Sequence, residues 1–274
     1  MLQNKDTKKI SELKNGFTHR WLEPDFILGT LQGFSFSSLC KSLNPMKLRG
    51  YSFKSVFSIL ICMPFVNQQT VHSLTNGIFK GHIQARKDVF YRLKNNPSVN
   101  WRYILWLFAL KFVNLIKKHS PHAFEGPTCL IFDDSTVKKR GKTIENISHV
   151  WDHVTHSSVL GFKLLVMGYW DGTSFIPLDF SLHREKGKNK NKPYGLKKKA
   201  LKKQYRKKRD SGSHGKARSC ETHESKIQSA LKMFRRAISH GLKIDYLLMD
   251  RWFTCEAFIE AVDKVKNQQV HLIG

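Results

Sequence analysis

Two short apolar runs, CLIFDD (Cys129 to Asp134) and YLLMD (Tyr246 to Asp250), each stop on carboxylates. Their length and their β-branched and aromatic neighbours read as strands rather than helices. In a sheet, the C-terminal ends of neighbouring strands open onto a shared crevice, so two acids far apart in the chain can meet there. The segments around them fit the same plan. SSVLGFKLLVMGYWDG and SFIPLDFSL read as strands joined by a turn at Asp171-Gly172. A helix from roughly His223 to His240 leads into KIDYLLMD, another from about Thr254 to Lys266 follows, and QVHLIG reads as a last strand. Three strands, a helix, a strand, a helix and a strand predict a mixed α/β domain over residues 127–274.

Residues 1–120 have a different texture. Apolar positions recur at helical spacing in SFKSVFSILICMPF and QTVHSLTNGIF, and Asn95-Asn96-Pro97 breaks the chain before the next helix. This predicts an all-helical N-terminal region able to hold a helix-turn-helix DNA reader. WRYILWLFALKFVNLI, Trp101 to Ile116, carries Arg102 and Lys111 and falls short of the roughly 20 apolar residues of a membrane span. It reads as a buried or amphipathic helix, and no membrane partner is expected. The N-terminus has no apolar segment of the secretory type, which predicts an intracellular, cytoplasmic protein. Five scattered cysteines fit reduced thiols, and the lone Cys220/His223 pair has no second pair to complete a zinc site.

The chain holds 47 Lys and Arg against 21 Asp and Glu, a net charge of +26. Residues 183–218 carry 16 of those cations against Glu185 and Asp210, a net of +14 that points to a polyanion such as a nucleic acid. The backbone of such a run is expected to be solvated and partly disordered. Its candidate DNA contacts are Lys197, Lys198, Lys199, Lys202 and Lys203, followed by Arg206, Lys207, Lys208 and Arg209. Tyr194 and Tyr205 could stack on unpaired bases. Lys138, Lys139 and Arg140, just past the first pair of acids, read as phosphate contacts or as a solvated basic turn.

Carboxylates that face each other repel, and a divalent cation relieves that repulsion. Mg²⁺ suits the role, since it takes hard oxygen ligands from one or two carboxylates and completes its shell with water and substrate phosphate. The competing reading makes the acids turn or cap residues, for which Asp-Ser-Thr is well suited.

FDDSTVKKRGK, the stretch from SHVWDHVTH to SLHREKGK, and YLLMDRWFT together resemble the catalytic domain of insertion-sequence transposases of the DDE superfamily. The resemblance runs from about Cys129 to Gly274. It implies an RNase H-like mixed sheet flanked by helices, with Mg²⁺ or Mn²⁺ as cofactor and double-stranded DNA as substrate: the element's terminal repeats and the target. A homodimer in the synaptic complex and a nucleoid-associated location when bound to DNA follow from the same likeness. It implies Asp134, with Asp133 as the alternative, and Asp250 as catalytic metal ligands. The family's third ligand is a Glu on a later helix within Tyr-x2-Arg-x3-Glu-x6-Lys. That motif is not found in the sequence, and Glu256 and Glu260 fall on the wrong helix for it. The expectation is therefore the front part of a transposase, or a truncated chain that binds DNA without cutting it.

Other residues receive lesser roles. His149, His153 and His156 read as structural or DNA-contacting, Asp152 and Asp179 gain no support from spacing, and Trp252 is expected to pack beneath the site.

Overall fold

The structure, a computed structural model, describes residues 36–43, 50–64, 70–76, 83, 85–119, 126–265 and 268–274. The chain divides into two compact units, Met1–Val99 and Asn100–Gly274.

The first unit contains four described helices: α1 (Phe36–Leu43), α2 (Phe53–Cys62), α3 (Val71–Asn76) and α4 (Lys87–Lys94). Ser52 caps α2, its hydroxyl accepting the Ser55 N–H at 3.1 Å, which satisfies one of the unpaired amides of the first turn. Phe57 packs on Phe53 and Phe36 with ring centroids 5.0 and 6.0 Å apart, as the helical spacing of apolar residues requires. The expected helix-turn-helix falls partly on residues outside the described ones, as does the whole of the N-terminal stretch 1–35.

The second unit begins with α5 (Trp101–His119), the amphipathic helix of the sequence, which buries Ile104, Trp106, Ala109 and Val113. Then come β1 (Cys129–Lys138), β2 (Ser148–Asp152), β3 (Ser157–Trp170) and β4 (Phe175–His183). After two short helices, α6 (Lys198–Lys202) and α7 (His214–Glu221), follow α8 (Lys226–Ser239), β5 (Tyr246–Met249), α9 (Glu256–Asp263) and β6 (His271–Ile273). The strands form one six-stranded sheet in the order β2-β3-β1-β5-β6, with β4 also on β3. β1 runs antiparallel to β3 and parallel to β5. Gly161 pairs with Lys138 on one side and Ser148 on the other, so β2 and β4 share the second edge of β3, one after the other. This is the expected mixed α/β, RNase H-like arrangement.

Leu130, Phe132, Leu165, Met167, Leu247 and Met249 from the sheet pack in one core with Ala230, Met233 and Phe234 of α8 and with residues of α5 and α9. Two details differ from expectation. SHVWD is a strand of its own, and β1 does not end at the acids: Ser135 to Lys138 continue along β3, whose length offers them a ladder.

Gly161 stands at the end of the β1–β3 ladder, opposite Lys138. A Cβ there would lie 2.3 Å from the Val137 carbonyl oxygen, a backbone atom that cannot move aside. Gly161→Ala is expected to cost about 2 kcal/mol through overpacking, read as a lowered thermal midpoint.

Candidate active site

Alternation along β1 sends Leu130 and Phe132 into the core, which puts Asp134 on the same face and Asp133 on the other. The parallel pairing of β1 with β5 ends at Phe132 opposite Met249. Asp133 and Asp250 are the next residues on the two strands, so the carboxylates sit where β1 and β5 part company. The sheet thus sets the two acid-bearing strand ends side by side, with Asp133 rather than Asp134 continuing the register toward Asp250.

Each acid has a distinct environment. Asp133 Oδ1 accepts the backbone N–H of Asp134 at 2.8 Å. Asp250 caps the 3₁₀ turn Arg251–Phe253, its Oδ1 accepting the Trp252 N–H at 3.4 Å. Asp134 Oδ2 accepts a hydrogen bond from the ammonium of Lys226, the first residue of α8. That same ammonium lies 4.4 Å from the centroid of the Trp252 ring and 5.9 Å from that of Phe253. Trp252 is 55% exposed and edge-on to buried Phe253, so it does not pack beneath the site as expected. Its indole is held at the surface because Phe253 takes the inward position.

Lys226, Lys163 and His183 are polar neighbours that sequence reasoning missed. Lys163 is buried in register between Thr136 of β1 and His183 of β4, on the face that carries Asp134. His183 bonds the Ser181 hydroxyl at 2.6 Å and lies 3.2 Å from the Glu224 carbonyl, and burial pushes its imidazole below the ordinary range. A lysine inside the GFKLL run was the only signal available for this cluster.

The basic segment 183–218 is folded, contrary to the expected disorder. Leu196 packs with Ile147 and Phe162 in a small second core. The Gln204 side chain donates to the Ile147 carbonyl at 2.8 Å, and the Tyr205 N–H donates to Thr143 at the same distance. Arg209 grips Glu145 through two hydrogen bonds of 2.7 and 2.5 Å, which hold that carboxyl below its usual range. Arg209 is therefore committed within the protein rather than presented to DNA. Tyr194 likewise lies under the Arg184 guanidinium, 3.3 Å from its ring centroid, whereas Tyr205 is 71% exposed.

Lys197, Lys198, Lys199, Lys202, Lys203, Arg206, Lys207 and Lys208 are all exposed on this platform. Lys139 and Arg140 are exposed beyond β1, while Lys138 pairs with buried Asp152 at 2.7 Å. His153 and His156 are exposed and His149 packs on Gly195. Glu256 is exposed and Glu260 pairs with Lys264. Asp179, itself buried, is paired with Arg102 and Arg236.

Among the described residues no group of three or more His, Cys, Asp and Glu is placed to hold a metal ion. What the site offers is a pair of hard-oxygen donors at adjacent strand ends, with an ammonium already lodged against one of them as a stand-in cation. That donor set suits an ion that draws its other ligands from water and phosphate. No helix among the described residues is long and apolar enough to cross a membrane.

No curated protein matches the chain. A family model described as DDE superfamily endonuclease matches residues 101–271, from the start of α5 into β6. That span holds the sheet, both acidic strand ends and the basic platform, and the chain belongs to the DDE superfamily of endonucleases.

Proposed function

We propose that the protein is the DNA transposase of an insertion sequence, cutting and joining strands at the element's ends. DDE superfamily nucleases act on DNA with divalent metal ions. In this reading Asp134 and Asp250 would hold Mg²⁺ or Mn²⁺, and the ion would supply Lewis-acid chemistry at the phosphate. The observation that carries the reading is the convergence of the two acidic strand ends where β1 and β5 separate. Lys226 favours Asp134 over Asp133 as ligand, because Asp134 already holds a cation while Asp133 bonds a neighbouring amide. A homodimer would present two such sites to the paired terminal repeats, and the helical N-terminal unit would help read them.

The exposed cations of α6 and its flanks serve as the DNA backbone track. Their platform is fixed by Leu196, Gln204 and Arg209, so they meet phosphates without first ordering a loop.

The test is incubation of the protein with plasmid carrying element ends, in Mg²⁺ or Mn²⁺ and in chelator. Nicking and joining in metal alone support the reading; salt-sensitive binding without any cleavage supports a chain that only binds DNA. In parallel, changing Lys198, Lys199, Lys202 and Lys203 to Gln is expected to flatten the plot of log affinity against log salt by about 3 to 4 units, at roughly 0.9 per lost phosphate contact. An unchanged slope would remove α6 from the DNA path.

A further inference from the structure

Lys226 occupies a position that helix physics disfavours for a cation. It is the first residue of α8, where the unpaired amides carry partial positive charge, and no acidic residue stands in that turn. The start of the helix is nevertheless fixed, because Ser225 and Gln228 form a reciprocal capping box around it. The lysine stem therefore leaves the helix from a set point and delivers its ammonium between Asp134 on β1 and Trp252, two residues beyond Asp250. Both members of the ion pair are less than one-fifth exposed. A residue that breaks a local rule and links two acid-bearing strand ends marks a functional position more than a stabilising one.

An ammonium and a divalent ion cannot share one carboxylate oxygen closely without strong repulsion. The four-carbon stem of lysine is flexible, and the Trp252 face is a second resting place that the ammonium already touches. We propose that Lys226 is a catalytic residue of the DNA-cutting site: in the metal-free protein it holds the Asp134 carboxylate in the cation's place, and once that carboxylate is given over to a divalent ion it stays on the Trp252 ring as a phosphate contact. This inference rests on the reading of Asp134 as a metal ligand.

The experiment measures Mn²⁺ binding to the DNA-free full chain by electron paramagnetic resonance, alongside cleavage at saturating Mn²⁺. Lys226→Met removes the competing ammonium, so Mn²⁺ binds about tenfold more tightly, the scale of a part-buried ion pair. Its kcat for cleavage nevertheless falls about a hundredfold, as for loss of one donor to a developing oxyanion. Lys226→Gln moves both quantities in the same directions, and Lys226→Arg restores most of each. Tighter metal binding with slower cleavage is a combination that a merely structural lysine would not produce. Unchanged or weaker Mn²⁺ binding in Lys226→Met and Lys226→Gln, with binding still abolished by Asp134→Asn, overturns the role of Lys226 and leaves the Asp134 reading standing. Mn²⁺ binding that survives Asp134→Asn overturns the Asp134 reading and this inference with it.

Discussion

Asp179→Leu is expected to destabilise the second unit by about 3 kcal/mol or more, the cost of stranding buried charge. Asp179 is only 3% exposed and answers two guanidiniums. Arg102 of α5 bonds its Oδ1, and Arg236 of α8 reaches Oδ2 through Nε and a terminal nitrogen at 2.9 and 2.7 Å. Arg102 also grips Glu221 of α7 with bonds of 3.0 and 2.8 Å and the Phe180 carbonyl at 2.7 Å. One carboxylate thus ties two helices to β4, and through Arg102 it ties in the helix that closes the basic platform. Removing it leaves Arg102 with Glu221 and the Phe180 carbonyl but takes from Arg236 the carboxylate it bonds, so α8 loses its ion pair to β4 and α5 loses part of its own. The measurement is the urea midpoint of the full chain at unchanged slope. Replacing all four residues together, Asp179→Leu with Arg102→Met, Arg236→Met and Glu221→Gln, should recover much of the loss, because no charge of the network is then left stranded. A single Asp179→Leu within about 0.5 kcal/mol of the native chain, the spread of an ordinary surface change, would show that the network carries no stability.

The fate of Asp179 shows where sequence reading stops. Strict alternation would put Leu178 and Asp179 on opposite faces, yet both are buried, because the pairing with β3 slips between Met167 and Gly168. A bulge of this kind has no signature in local composition. The acidic strand ends are legible for the opposite reason: an apolar run that stops on a carboxylate reports its own boundary, and α8 directly ahead of β5 supplies the helical return that a strand parallel to β1 needs. The basic platform looked disordered because its anchors lie elsewhere, in Thr143, Glu145 and Ile147, and charge counting does not see them. β2 reads as strand-like in the sequence but is too short and too polar to be counted as an element of the sheet on its own. Lys226 was hidden twice over, lying far along the chain from Asp134 and at a helix position where no cation is expected.

Asp250→Asn separates the two readings of the acids more sharply than any truncation. If Asp250 serves only as a cap, asparagine replaces it at little cost, since an amide oxygen accepts the Trp252 N–H as well as a carboxylate does. If it holds the metal, the same change removes a charged ligand while leaving the turn intact. Cleavage is then expected to fall about a thousandfold or more, with thermal midpoint and DNA affinity near native values. Asp134→Asn should lose activity on the same scale, together with the pairing to Lys226, which is worth about 1 kcal/mol at such a partly exposed site. Asp133→Asn is expected to stay active, because its carbonyl oxygen still accepts the Asp134 amide. Plasmid nicking in Mn²⁺, with salt-matched filter binding, reads all three variants side by side. Full activity in Asp250→Asn would return that residue to its role as a cap, whereas activity lost in Asp133→Asn and kept in Asp134→Asn would move the ligand to the opposite face of β1. That second outcome has its own structural logic, since Asp133 is the residue that continues the register toward Asp250. The pattern across the three variants therefore fixes which face of β1 the metal uses.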